Sequence, residues 1–353
     1  HPELVKKAMN KEDCYSHLVP IDEDICRVSA YLRHTIQTVV MKPGKNDRLV
    51  WDGTTTLLAL DIVMNQVTPV NREAPITFGY VKIQLYIDIY NTRISHPYVI
   101  ILLGLADIKA CFRFPRIHPD LTGAFGFMAG GFYNLATAMV FGSTTSASSW
   151  EPFRRGIEAL SVAYADRLDL VIKHKYYLDM ISWAEEDQTT KVTPAFPCAI
   201  NTGTMDASLP ARIYVDDALL LGISRRQMEL RLAALIEAIF VIMGTPDTTV
   251  RQCPLALDKW LDLIVASRQR MLGLIVDTNS MTVGIPPDYV AEVFDLLNTT
   301  WHSHRRRFTV GEAQKLTGKL GHLAEGANWV YHLLTHLYTL IAYALSENKR
   351  LLS

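Results

Sequence analysis

Apolar and polar positions divide this chain into recognisable elements. Residues Tyr98 to Ala106 form a nearly unbroken apolar run that stops at Asp107, the pattern of a strand buried on both faces. Arg212 to Gly222 is a second apolar run, split in its middle by Asp216 and Asp217. Two half-strands joined at a polar tip predict a hairpin. Apolar residues at three- and four-residue spacings predict helices over Phe153–Leu170 and Arg225–Met243. From Pro286 onward the spacing is helical throughout, with helices expected near 287–299, 309–325 and 329–348. Thr309 and Glu312 are spaced as a capping box for the second of these.

The N-terminal part is more mixed. A helix is expected within the first forty residues, closed by the apolar segment Ile36 to Met41. The basic loop Lys42-Pro-Gly-Lys-Asn-Asp-Arg48 follows, and its Pro43 and Gly44 mark a turn that projects Lys42, Lys45 and Arg48 around a hairpin. Phe125 to Tyr133 is rich in glycine and aromatics, and Val140 to Ser149 is a Gly/Ser/Thr stretch leading into Trp150. The polar, proline-containing segment 187–210 reads as a surface insertion. Strands and helices mixed first, then a helical end, describe an α+β layout.

Composition narrows the function classes. The 353 residues are 49% hydrophobic and 20% charged, the profile of a soluble globular protein with ample material for a core. No apolar stretch approaches the roughly 20 residues that span a bilayer, so no membrane partner is expected, and the cytoplasm is the expected compartment, with the nucleus or a virus-like particle as alternatives. The five cysteines (Cys14, Cys26, Cys111, Cys198 and Cys253) are scattered and never form a C-x-x-C pair, which argues against a disulfide framework or structural zinc. The chain opens on His1, which suggests a piece of a longer protein. A net charge of −1 counts against nucleic-acid binding, yet Arg305, Arg306, Arg307, Lys315 and Lys319 oppose only Glu312 between His302 and Lys319, leaving a local basic face. Nothing in the sequence specifies an oligomeric state.

The carboxylates carry the sharpest chemistry. A charge inside an apolar strand is costly unless it is paired or binds a metal. If the two strands are neighbours, Asp107, Asp216 and Asp217 converge, and their repulsion calls for a cation. Hard oxygen ligands without His or Cys suit Mg²⁺. The alternative is a polar hairpin tip with Asp107 as a helix cap, and the spacing by itself leaves both readings open.

Tyr214-Val-Asp-Asp217, flanked by apolar runs, resembles the catalytic hairpin of reverse transcriptases. Asp107-Ile-Lys-Ala-Cys-Phe112 is similar to that family's other catalytic strand, in which an aromatic follows the aspartate by five positions. Val140-Phe-Gly142, followed by Ser146-Ala147, looks like its template- and nucleotide-contacting loop. The basic loop ending Arg48-Leu-Val-Trp-Asp52 resembles the segment that holds the incoming triphosphate. Met271-Leu-Gly-Leu274 with Met281 to Pro286 resembles the primer-grip hairpin, and Phe308 to His322, with Gly318-Lys-Leu-Gly321, the first thumb helices. These blocks stand in the family's order over roughly 40–340, with the flavour of DIRS-like, LTR-retrotransposon and pararetroviral enzymes.

The resemblance implies a right-hand polymerase fold with fingers and palm over 1–285 and a helical thumb over 286–353. It implies an RNA-directed DNA polymerase acting on an RNA or DNA template with primer and on deoxynucleoside triphosphates. Two Mg²⁺ ions, for which Mn²⁺ could substitute, would be held by Asp107, Asp216 and Asp217. Nucleotide binding would fall to Lys42, Lys45, Arg48, Phe112 (as the sugar-discriminating gate), Phe141 and Gly142. Primer and template contacts would fall to Tyr214, Leu272, Gly273, Arg305, Arg306, Arg307, Lys315 and Lys319. The sequence departs from the family's pattern in the long gap between Gly142 and Asp216, in Val140 where a proline usually stands, and in having no ribonuclease H, integrase or protease segment. The competing readings are a catalytically inactive nucleic-acid-binding fragment of a retroelement and an RNA-dependent RNA polymerase; Val215 and Phe112 speak against the latter. His332 and His336, one helical turn apart, lack the glutamate of a metalloprotease pattern and read as stacked helix histidines.

Overall fold

A computed structural model describes Met9 and residues 17–22, 35–40, 48–56, 75–129, 132–184, 209–247, 252–302, 304–327, 330–347 and 351–352. The helix expected in the first forty residues and nearly all of the expected 187–210 insertion lie outside them. Contacts divide the chain into two units, the first comprising 1–91, 104–184 and 203–265, the second 92–103, 185–202 and 266–353.

In the first unit, β1 (Leu18–Asp22), β2 (Thr35–Val40) and β3 (Arg48–Thr56) precede helix α1 (Val81–Ser95), whose last turn passes into the second unit. Strand β4 (Leu102–Asp107) returns to the first unit and is followed by β5 (Phe127–Ala129) and β6 (Phe132–Ala136). One sheet has the order β1-β6-β5-β2-β3. Its β2 and β3 are the antiparallel arms of the expected basic hairpin, with Val40 opposite Arg48, and Lys42 and Lys45 between them lie outside the described residues. Leu18, Phe125, Phe127, Ala136, Met139 and Val140 form a core beneath this sheet.

Helix α2 (Thr145–Ala163) comes next, then α3 (Leu168–Lys173), α4 (Lys175–Leu178) and β7 (Ser182–Trp183). The sequence predicts one helix over 153–170; instead α2 starts in the Ser/Thr stretch and stops before Leu168. The small hydroxyls make that early start possible by bonding backbone carbonyls: Ser146 Oγ donates to Val140 O at 2.6 Å and Ser148 Oγ to Thr145 O at 3.0 Å. Both serines can then be buried. The helix continues through Pro152 despite the missing N–H.

The predicted hairpin is β8 (Arg212–Tyr214) and β9 (Asp217–Gly222), antiparallel, and the predicted helix α5 (Arg225–Met243) follows with Ser224 as its N-cap. Strand β9 lies between β4 and β8 in a three-stranded sheet. Helix α5 packs on β9 and α2, burying Met228, Leu232, Leu235, Ile236 and Ile239. Helix α6 (Leu257–Leu261) and β10 (Ile264–Val265), the latter parallel to β7, complete the unit.

In the second unit, β11 (Arg268–Met271), β12 (Leu274–Asp277) and β13 (Thr282–Gly284) form an antiparallel meander. The segment ahead of β4 is tied to it. Arg93 donates to the carbonyls of Pro97, Val99 and Thr278 at 3.1, 2.7 and 3.0 Å, and Thr278 Oγ1 donates to Ile101 O at 2.6 Å. These bonds hold residues 96–100 as a turn, so the strand predicted from Tyr98 begins only at Leu102. Helices α7 (Pro287–Thr299), α8 (Val310–Gly326) and α9 (Tyr331–Ser346) match the predicted helical end, and Thr309 and Glu312 form the capping box. Ala324, Val330 and Leu334 are the buried contacts at the junction of α8 and α9.

One close approach in the first unit gives a test of the packing. A methyl group on Gly126 would collide with the hydroxyl and ring of the fully buried Tyr133. Gly126→Ala is therefore expected to lower stability by about 1–3 kcal/mol, read from chemical denaturation.

Candidate active site

The site grows from the ends of β4 and the β8–β9 hairpin. Tyr214 pairs with Asp217, which leaves Val215 and Asp216 as a two-residue turn. Val215 has φ 58°, a left-handed conformation that a β-branched residue adopts only under constraint. Trp150 Nε1 supplies part of that constraint by donating to Val215 O at 2.8 Å. Asp216 O accepts from Ile108 N at 2.8 Å, which fastens the hairpin tip to the residue after Asp107. The Asp107 carbonyl is itself held, by Ala256 N at 3.2 Å and Trp260 Nε1 at 3.3 Å.

The three aspartates are close enough to act on one another. Burial pushes the Asp107 carboxyl up, a hydrogen bond from Lys259 pulls it back and the charge of Asp216 adds to the rise; the net shift is upward. Asp217 is pushed up to about 6, by burial first and then by Asp216 and Asp107. The ammonium of Lys259 sits on Asp107 Oδ2. Burial favours its neutral form, but the bond to Asp107 and the three negative charges hold its pKa above the ordinary lysine value. Convergence on a single point, expected from the sequence, is incomplete: among the described residues no three His, Cys, Asp or Glu side chains gather closely enough to hold a metal ion. Lys259 was not among the sequence candidates, because nothing local in Leu257-Asp-Lys-Trp260 marks it. The donor chemistry nonetheless fits a hard cation, since Asp107 and Asp217 are pushed toward protonation and Asp107 already draws a cationic group to itself.

A second set of charges lies behind the hairpin. Helix α2 carries Glu151, Arg154 and Glu158 at i, i+3 and i+7, a spacing that by itself reads as an ordinary charged helix face. Strand β8 is a sheet edge, and an edge exposes backbone groups that need partners. Glu158 Oε1 accepts from Ile213 N at 2.8 Å, and Arg154 donates to Ile213 O at 3.1 Å. Arg154 also bonds Glu151 Oε1 at 2.7 Å and Glu158 Oε1 at 2.6 Å. Burial alone would lift Glu151, but its bonds from Arg154 and Thr77 outweigh it and hold the carboxyl below its usual range. Arg212, next along the strand, bonds Asp88 Oδ2 at 2.8 Å.

Phe112 is half-buried and meets Phe141 edge-on, with ring centroids 5.5 Å apart. Gly142 adopts φ 108°, open to glycine and strained for any other residue. Cys111 is buried, and burial pushes its thiol far up. Tyr214 packs edge-on against Phe78 at 5.4 Å. Lys42 and Lys45 lie outside the described residues, and Arg48 is placed only as the first residue of β3. A cavity of about 300 Å³ opens beside Lys109 and Ala110, with Arg113, Arg116 and His17 among its walls and Asp247 as its one carboxylate.

In the second unit Leu272 and Gly273 form the β11–β12 turn with φ 49° and 80°. Arg306, Arg307 and Lys315 are exposed. Arg305 is paired with Glu312 at 2.8 Å and lies over the Phe308 ring, while Lys319 is paired with Glu292 at 2.6 Å and lies over Tyr289. Two of the five basic residues expected to form the face, Arg305 and Lys319, therefore already share their charge with carboxylates.

No protein-family model matches the sequence, and no curated protein matches it. Solved structures do. A foamy viral protease–reverse transcriptase in complex with double-stranded DNA is similar with a TM-score of 0.52 at 13% identity, over 97% of this chain and 44% of that chain. The foamy viral protease–reverse transcriptase in complex with an RNA/DNA hybrid gives 0.46 at 14% identity, over 88% of this chain and 30% of that one. Another complex with double-stranded DNA gives 0.47 at 14%, over 97% and 52%. This chain thus spans about half the length, or less, of the solved chains it matches. The first likeness shows the fold: the chain is α+β with a reverse-transcriptase-like fold.

Two outcomes test the electrostatics. A carboxyl with a higher pKa folded than unfolded binds its proton more tightly when folded, so Asp217 makes stability fall as pH rises from its ordinary value of 3.8 to about 6, and the loss persists above that. Asp217→Asn is expected to raise the thermal midpoint at pH 7.5 and to leave it nearly unchanged at pH 4. Arg154→Met leaves Glu151 buried and unpaired and is expected to cost about 3–5 kcal/mol in equilibrium unfolding.

Proposed function

We propose that this chain is an RNA-directed DNA polymerase that extends a primer on an RNA or DNA template with deoxynucleotides. The observation that carries the reading is the constrained Tyr214-Val-Asp-Asp217 tip fastened beside Asp107, in a chain whose fold is similar to that of a reverse transcriptase. Under this reading residues 1–285 are fingers and palm and 286–353 the thumb, and the protein works in an aqueous compartment, the cytoplasm, the nucleus or a virus-like particle. Among the described residues no helix is long and apolar enough to cross a membrane.

Asp107 and Asp216 would hold two Mg²⁺ ions, or Mn²⁺ in their place, with Asp217 supporting them. Bound there, the ions supply activation of the primer 3′-hydroxyl and charge neutralisation on the leaving pyrophosphate. The chain's own share is positioning and electrostatics. The bonds from Ile108, Ala256 and Trp260 fix Asp107 against the hairpin, and Arg154 and Glu158 fix the strand that leads into it. Phe112, steadied by Phe141, would lie under the sugar and leave no room for a 2′-hydroxyl. Gly142 would let template or nucleotide approach the backbone. The basic wall of Lys109, Arg113 and Arg116 suits triphosphate, with Lys42, Lys45 and Arg48 on the hairpin as further partners. Leu272, Gly273 and Tyr214 would meet the primer, and Arg305, Arg306, Arg307, Lys315 and Lys319 the backbone phosphates.

Primer extension on an RNA template with a DNA primer and Mg²⁺ tests this. Deoxynucleotide incorporation is expected and should fall by at least about 10³-fold in Asp107→Asn and in Asp216→Asn; extension at wild-type rates by either variant would sink the assignment. In the same assay Phe112→Ala is expected to admit ribonucleotides.

A further inference from the structure

The turn between β11 and β12 is held from outside itself. His322, on α8, turns Nε2 toward the carbonyl oxygen of Gly273 at 3.2 Å. A carbonyl only accepts, so this nitrogen carries the proton and donates it. On the ring's other side Glu325 Oε1 lies 3.6 Å from Nδ1. The ring also packs edge-on against Tyr289 of α7, with centroids 4.8 Å apart and planes at 88°. Tyr289 in turn donates its hydroxyl to Lys319 O at 3.0 Å, so the contact chain closes back on α8.

The turn needs such a hold. Leu272 at φ 49° lacks glycine's freedom, and strained residues of this kind persist only where their surroundings over-determine them. A methyl group on Gly273 would lie 2.7 Å from His322 Nε2, so the glycine both adopts φ 80° and admits the imidazole to its carbonyl.

We propose that His322 is a positioning residue that fixes the Leu272–Gly273 turn to α8, so that the turn's backbone meets the primer strand in one place. This rests on the polymerase reading, under which the β11–β12 hairpin grips the primer. His322 touches no reacting atom; it acts through the turn.

Three variants separate ring shape from hydrogen bond. His322→Phe keeps an aromatic ring against Tyr289 without a donor, His322→Gln carries an amide N–H to about the same place, and His322→Ala loses both. Amide hydrogen exchange over residues 271–275 of the whole chain is expected to rise roughly tenfold in the Phe and Ala variants and to stay within about twofold of wild type in the Gln variant. In primer extension the Phe variant is expected to lose about tenfold in kcat, with the KM for deoxynucleotide and the template–primer affinity unchanged, and the Gln variant to recover it. Wild-type exchange in the Phe variant overturns the proposal whatever the activity. Full kcat in the Phe variant overturns the positioning role. The expected exchange pattern in a chain that extends no primer supports the hold of His322 on the turn and overturns the polymerase reading instead.

Discussion

Placing carboxylates at the ends of buried strands is the constraint around which the first unit is organised. Asp107 is buried and Asp217 half-buried, so the partial loss of solvent and mutual repulsion push both toward their protonated forms. Relaxing apart would relieve that repulsion, and the fold does not allow it. Ile108 N binds the hairpin tip, Trp150 binds the carbonyl of Val215, and the carbonyl of Asp107 is held from two sides. The backbone is made rigid where the side chains are least comfortable. Lys259 offsets part of the cost by lending a positive charge to Asp107.

The same logic extends outward to the sheet edge. Among the described residues strand β8 has no strand on its outer side, and an unpaired edge beside a charged turn would fray. Helix α2 answers with side chains in place of a strand: Glu158 accepts from Ile213 N while Arg154 donates to Ile213 O. Because Arg154 is shared with Glu151, the clamp is a buried network with its hydrogen bonds satisfied, which is the condition under which buried charge gives specificity. The second unit uses a lighter version of this device, with one imidazole reaching from a helix to the carbonyl of a strained turn.

Much of this was legible in the chain itself. The β8–β9 hairpin, α5 and the three C-terminal helices follow from apolar periodicity, and Thr309 with Glu312 marks a helix start. These signals are local, set by side chains within a few residues of one another. Where local pattern misled, side-chain hydrogen bonds that apolar periodicity does not register had intervened. Residues 98–100 look like strand but are held as a turn by Arg93, and α2 begins early because serine hydroxyls find carbonyl partners.

What the sequence determined by itself is part of the inventory: the β8–β9 hairpin, α5 and the C-terminal helices, and which three aspartates stand on apolar runs. Only the tertiary structure decided which charges share a site. Lys259 lies 152 positions from Asp107 in sequence, and Ile213 meets Arg154 across 59, separations over which periodicity carries no information. It also decided which of the basic residues on α8 and the segment before it are already paired, because Glu292 reaches Lys319 only once α7 and α8 pack. Asp107, Asp216 and Asp217 could be picked out from one strand at a time. That their charges press on one another, and that an ammonium lies among them, depends on through-space distance, and the fold alone sets that.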